Sequence, residues 1–388
     1  MEEIRAVVFI GMNPWHYSAI NDSVRFLAAA CTRADCHYLD PPLGLRNALA
    51  QPASFFRGFR WRQELCGQVR VYQPPLGFAP VAGGLRRRAD AVTAAQFAGM
   101  MAAEYGPDWR ESTVVYISSW SYTQTYFVKS LRPRRLVFHL LDDAFAFPEI
   151  KNNPRVLAEN EVFFRQMMAD SDLVVAVSGE LTEKYATLYQ REVRLLRNGV
   201  NVAFFKAPDS APPPDLAGIK KPVLMYTGSI NSWVDLPLLN KLAADKPDCS
   251  LVLIGPYFEG SADAALWQKL LDQSNVYWLD SKPFALLPGY LHQAAALLLP
   301  RTEAEHSKAS DPLKLYEYLS TGLPVVSTGL PAVDDFRSYV HVAARDDFAA
   351  AVDRAITEHN QDQAQRQIKM IGNHSWPARI DEMLNMLP

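Results

Sequence analysis

The chain has 388 residues, which suits two domains of ordinary size. Its 49% hydrophobic and 21% charged residues give the profile of a soluble globular protein, and a formal net charge of −3 gives no support to a role with nucleic acid. Cys31, Cys36, Cys66 and Cys249 show neither CxxC spacing nor pairing with histidine, so they read as reduced thiols of a cytosolic protein rather than a disulfide frame or a zinc site.

Residues 4–11 are apolar on both faces and end in glycine, which predicts a buried parallel strand. That run is too short for a signal or membrane segment and has acids before it, so a cytoplasmic location is expected. Residues 21–30 carry helical spacing (Val24, Leu27, Ala28) with Asn21 or Asp22 able to cap. Further strands are expected at 36–39, 69–72, 113–118, 136–141, 173–178 and 193–196, with helices at 156–169 and 179–189. Residues 206–222 contain three consecutive prolines, which continue neither a helix nor a central strand, and read as an extended linker. The rhythm then restarts. Strands are expected at 223–227, 250–254, 276–278, 295–299 and 324–327, and helices at 236–244, 262–271, 286–293, 312–320 and 345–358. The implied fold is α/β, with two doubly wound Rossmann-like domains across a cleft: 1–207, a linker at 208–221, and 222–374. Residues 375–388 read as an amphipathic helix through Ile380, Met383, Leu384 and Leu387, which by pattern alone packs on its own domain.

The stretch from Ser310 to Ser327 is the most informative. Ser310 or Asp311 is expected to cap a helix starting at Pro312, whose missing N–H costs little at that position. With Leu313 and Lys314, these residues form a helix opening suited to a diphosphate. Lys314 and Glu317 are three apart and share one helical face, where a lysine can neutralise phosphate and a carboxylate can accept from ribose hydroxyls. Gly322 ends the helix before a buried strand.

This segment resembles the nucleotide-sugar motif of retaining GT-B enzymes of the "glycosyl transferases group 1" type, where a glutamate lies five residues before a glycine, as Glu317 does before Gly322. Tyr226-Thr227-Gly228-Ser229 resembles the family's phosphate turn, and Leu253-Ile254-Gly255-Pro256 its next strand end. The segments 275–279 and 286–291 resemble the lining of its nucleobase pocket, with Lys282 and Pro283 in the loop between, either on the base or simply solvated. Residues 174–178 and 196–205 resemble the family's Val-Ser strand and its Asn-Gly-Val block. Gly11 stands where the acceptor side approaches the donor. The resemblance implies a GT-B fold, retained anomeric configuration, transfer without a metal or other cofactor, and a C-terminal helix that crosses back onto the first domain.

There are departures. Ala309 stands where many members have a first glutamate, leaving Asp311, Glu305, Glu303 or main-chain amides to meet the sugar. Ser229-Ile230-Asn231-Ser232-Trp233 lacks the usual arginine and lysine, so diphosphate charge falls to Lys314, Arg301, Lys308 or the helix end. Leu141-Asp142-Asp143 stands where many members have His-Asp. Adjacent strand-end residues point opposite ways, so at most one of Asp142 and Asp143 is expected to serve as base or sugar contact; the other reading is a loop cap. His16 is a further catalytic candidate, whereas His139 on an apolar strand reads first as a packed residue.

Residues 54–62 interleave aromatics with arginines, and 86–88 add a basic run. Both suit peripheral contact with an anionic membrane and hence a lipid-linked acceptor, and equally a half-buried helix with snorkelling arginines. The expectation is a glycosyltransferase that takes a nucleotide-diphosphate sugar as donor and a glycan or lipid-linked acceptor. A nucleotide-sugar epimerase of the same fold and a non-catalytic nucleotide- or glycan-binding partner subunit are the alternatives.

Overall fold

In the computed structural model, described over residues 3–16, 22–42, 60–75, 84–121, 124–206, 212–260 and 262–388, the chain forms two compact units. One is Met1–Arg197 with Arg379–Pro388, the other Asn198–Ala378. The division at Arg197 and Asn198 precedes the proline-rich segment rather than falling inside it. The reason is local. Asn198 is hydrogen-bonded to Asp311 of the second unit, and Phe205, on the short helix Val202–Lys206, is buried in that unit's core. At the other end, Arg379–Pro388 groups with the first unit, where Arg33 donates to Asn385 at 2.8 Å.

The first unit is an eight-stranded sheet in the order β3-β4-β2-β1-β5-β6-β7-β8. Its strands are β1 Ala6–Ile10, β2 Asp35–Leu39, β3 Arg62–Cys66, β4 Val69–Gln73, β5 Thr113–Ser118, β6 Arg135–Leu140, β7 Leu173–Ala176 and β8 Arg194–Leu195. All pairs are parallel except β3 with β4. The central strands are buried on both faces, which is why they read as unbroken apolar runs. Asp22 caps the helix Ser23–Ala30 by accepting from Val24 N at 2.9 Å. Several elements have no counterpart in the sequence expectation, among them β3 and the longest helix. Strand β3 is an exposed, polar edge, and the helix Gly84–Tyr105 buries only a thin stripe that includes Ala94, Phe97 and Met101.

His37 and His139 are enclosed in this sheet. Burial pushes His37 down to about 4 and His139 to about 3, so both are neutral at pH 7. Tyr105 Oη lies 2.9 Å from Asp35 and donates to it, so His37 Nε2, at 2.7 Å, donates to Tyr105. His37 Nδ1 then accepts from Tyr72 at 3.1 Å.

The second unit is a six-stranded parallel sheet in the order β11-β10-β9-β12-β13-β14. Its strands are β9 Val223–Thr227, β10 Ser250–Ile254, β11 Val276–Trp278, β12 Ala296–Leu299, β13 Val325–Ser327 and β14 His341–Val342. Helices Leu236–Asp245 and Ala264–Leu271 open on Asp235 and Asp263 caps. Helix Gln361–Ile371, absent from the sequence expectation, opens on a capping box of Asn360 and Gln363. Because the strands are parallel, β9, β10 and β12 deliver Gly228, Gly255 and Arg301 to the same edge of the sheet. Among the described residues no helix is long and apolar enough to cross a membrane.

Candidate nucleotide site

Strands β9 and β10 leave the second sheet through two interlocked glycines. Gly228 has φ +145° and Gly255 φ +143°, and Gly228 N–H donates to Ile254 O at 2.8 Å. A Cβ on Gly255 would stand 2.1 Å from the Gly228 carbonyl oxygen, so any side chain there collides with main chain. Tyr226 donates its phenol to Ser229 O at 3.0 Å and closes the turn. Bare main chain at adjacent strand ends is what a phosphate group needs for close approach.

The helix Leu313–Thr321 lies beside this turn. Its N-cap is Pro312, with no side-chain cap, which corrects the expectation of a Ser310 or Asp311 cap and a start at Pro312. Both side chains are committed elsewhere. Asp311 is 4% exposed and accepts from Asn198 N at 2.8 Å and from the Tyr316 phenol at 2.8 Å, so it fixes the helix to the start of the second unit. Ser310 donates to Ser307 O at 2.6 Å and accepts from Arg301 at 2.9 Å. The opening is thus left to half-buried Pro312, Leu313 and Lys314.

Three consecutive residues in the middle of the helix divide the positioning. Tyr316 anchors Asp311. Tyr318 accepts from Thr227 N at 2.8 Å and ties the helix to the end of β9; burial pushes its phenol well up. Between them Glu317, 4% exposed, meets Lys314 Nζ at 2.8 Å. Lys314 also borders the glycine turn, since a Cβ on Gly228 would lie 3.5 Å from its Cε. One cation, one carboxylate and a bare turn therefore share a single location.

Arg301 adds a second cation. It is 8% exposed, its guanidinium lies 5.2 Å from the Trp233 ring centre, and its charge acts on the Tyr226 phenol, which burial raises to about 12. The loop after Gly228 lacks an arginine or lysine, yet its Trp233 stacks on an arginine delivered by β12. Lys308 lies instead near Glu303, at 3.9 Å. Lys282 pairs with Asp215 at 2.8 Å, and Asp215 also accepts from Tyr290 at 2.8 Å; the lysine is tied to the proline-rich segment.

The remaining candidates lie in the first unit. Gly11 donates to Leu39 O at 2.8 Å, accepts from Gln124 at 2.7 Å, and carries the Tyr38 ring against it. Asp143 is fully buried and takes Lys184 at 2.5 Å and the Tyr185 phenol at 3.0 Å. Asp142 is half-buried and accepts from Trp120 Nε1 at 3.0 Å. His16 is exposed and sits 2.7 Å from Glu64. Of the basic segments, residues 54–59 lie outside the described residues. Trp61 donates to Gln96 at 2.8 Å, and Arg87 lies over the Tyr126 ring.

Residues 221–358 match the family described as Glycosyl transferases group 1, across the elements that build this site. That segment, about a third of the chain, is similar to the group 1 glycosyltransferases. The putative teichuronic acid biosynthesis glycosyltransferase TuaH of Bacillus subtilis (strain 168) is 28% identical over 193 residues; that match spans 48% of this chain and 48% of TuaH, about half the relative's length. Among solved structures, the trehalose-6-phosphate synthase OtsA is similar at TM-score 0.68 and 16% identity over 99% of this chain and 98% of that one. HepE of Anabaena, solved with UDP and glucose, is similar at TM-score 0.66 and 14% identity over 99% of each chain. The fold of this chain is GT-B, two Rossmann-like domains, as the sequence resemblance implied. Sequence reasoning missed Trp233, Tyr316, Tyr318 and Asn198 as the residues that hold the site. The signal available for Asn198 was its place in the Arg-Asn-Gly-Val block.

Proposed function

We propose that this chain is a glycosyltransferase that moves a sugar from a nucleotide-diphosphate donor to a hydroxyl acceptor. The observation that carries the reading is the Lys314–Glu317 pair at 2.8 Å, set against the bare Gly228 turn. In this reading Glu317 accepts from the ribose hydroxyls, and donor binding draws Lys314 off Glu317 toward the diphosphate. Arg301 supplies the second positive charge that the loop after Gly228 lacks. Such preorganised charge stabilises the leaving diphosphate, and transfer proceeds with retention and without a metal. On the acceptor side we assign Asp142, half-buried beside Trp120, to take a proton or hold a sugar hydroxyl, while Asp143 is bound by Lys184 and Tyr185. A surface-polysaccharide acceptor, on a lipid carrier at the inner face of a membrane, is supported by the likeness to a teichuronic acid glycosyltransferase and by the exposed Arg87 and Arg88.

The test is incubation with a panel of nucleotide sugars and glycan acceptors, followed by mass spectrometry. Release of nucleoside diphosphate with a glycosylated product is expected. Isomerised donor without transfer would make the protein an epimerase, and binding without turnover a partner subunit.

A further inference from the structure

Away from the nucleotide site, the first unit brings together three side chains whose chemistry the transfer reading does not use. His16 follows β1, while Glu64 and Cys66 lie two apart on edge strand β3 and so share one face of it. One ligand atom from each lies within 4.8 Å of the other two. His16 Nε2 and Glu64 Oε1 are already 2.7 Å apart, although the residues are 48 positions distant in sequence. We propose that His16, Glu64 and Cys66 form a zinc site that staples the turn after β1 to edge strand β3.

Three features of the cluster support it. The first is chemical. Imidazole, carboxylate and thiolate are all ordinary zinc donors, and with the thiol deprotonated their summed charge of −2 balances the ion. The second is geometric. Bonds of about 2.0 Å to nitrogen and oxygen and about 2.3 Å to sulfur put tetrahedral donors roughly 3–4 Å apart, a spacing that this cluster reaches by small side-chain rotations. The fourth position, facing solvent, takes water. The third is preorganisation. The turn bearing His16 is pinned by Trp15 N–H to Asp40 at 2.8 Å, by Arg25 to Trp15 O at 2.9 Å, and by the Trp15 ring on Tyr38. Gln73 donates to Glu64 Oε1 at 3.2 Å and orients the carboxylate. What zinc displaces is weak, since the His16–Glu64 pair has side chains 57% and 41% exposed. Binding releases the Cys66 thiol proton, with no redox change, so affinity rises with pH.

The experiment titrates the purified, chelator-treated full chain with cobalt(II) and then displaces cobalt with zinc. The expected result is one cobalt per chain, with a near-ultraviolet sulfur-to-cobalt band and intense tetrahedral d–d bands that zinc abolishes. Cys66→Ser removes the sulfur band while far-ultraviolet circular dichroism is unchanged, and His16→Ala and Glu64→Ala each weaken binding at least tenfold. Cys249→Ser leaves the spectrum intact. Absence of the sulfur band, its persistence in Cys66→Ser, or cobalt binding of equal strength in all three variants overturns the proposal. Nucleotide affinity measured on the same samples reports separately on the donor site, so failure of one reading is distinguishable from failure of the other.

Discussion

The two units share a parallel-sheet architecture but finish their strands in different ways. In the second unit the edge where β9, β10 and β12 end carries two bare glycines, Lys314, Arg301 and one carboxylate, Glu317. In the first unit the corresponding loops are rich in carboxylates, most of them already spent. Asp22 caps a helix, Asp40 holds the Trp15 turn, and Asp143 holds Lys184 and Tyr185. Asp142 is the less enclosed one. The difference shows how one fold finishes its strands in two ways, an edge of bare glycines and cations and an edge whose charges mostly fix loops.

The largest effect that separates the units comes from Gly255→Ala. The new Cβ collides with the Gly228 main chain, and we expect about 4 kcal/mol or more of destabilisation, the sum of backbone strain and overpacking. Hydrogen exchange should show lost protection in β9 and β10 while β1 and β5 stay protected; equal loss in both units would break the comparison.

Acidification should act on the opposite unit. His37 and His139 have folded values pushed down to about 4 and about 3 by burial, against an ordinary 6.5. Below pH 6.5 the unfolded chain therefore takes up protons that the folded chain refuses, and stability, full above 6.5, falls as pH falls. At pH 5 the loss is about 2 kcal/mol per histidine. Denaturant midpoints between pH 7 and 5, read through exchange in β2 and β6, check this; a midpoint independent of pH would contradict it.

Glu317→Ala sharpens the ligand side. Losing a charged hydrogen-bond acceptor for ribose should weaken nucleoside diphosphate binding about tenfold to thirtyfold, roughly 1.4–2 kcal/mol. Calorimetry reads it, and Glu317→Gln should lie between the variant and the parent. The smallest effect is expected for Asp142→Asn, which keeps the Trp120 hydrogen bond. Turnover should fall about tenfold, roughly 1.4 kcal/mol, with donor affinity unchanged. Full activity would return Asp142 to a loop-fixing role.

Legibility in the sequence followed the same division. Strands β5, β9 and β10 have the bounds expected from their apolar runs, because a strand buried on both faces has no other composition open to it. Strand β3 and helix Gly84–Tyr105 escaped, since an exposed edge and a thin stripe carry weak periodicity. In the candidate site, Lys314, Glu317 and Gly228 could be singled out because the chemistry proposed for them lies in short contiguous motifs. Asp311 was misread as a cap because nothing local announces that Asn198 and Tyr316 claim its carboxylate. The stacking of Trp233 on Arg301 joins distant segments and left no mark in either.

Residues 198–378 are proposed to hold the nucleotide. Hydrogen–deuterium exchange of the whole chain, with and without a panel of nucleoside diphosphates, tests it most directly. New protection is expected at 227–230, 255–256 and 312–318 with at least one member of the panel. Protection confined to the first unit, or none with any nucleotide, would contradict it.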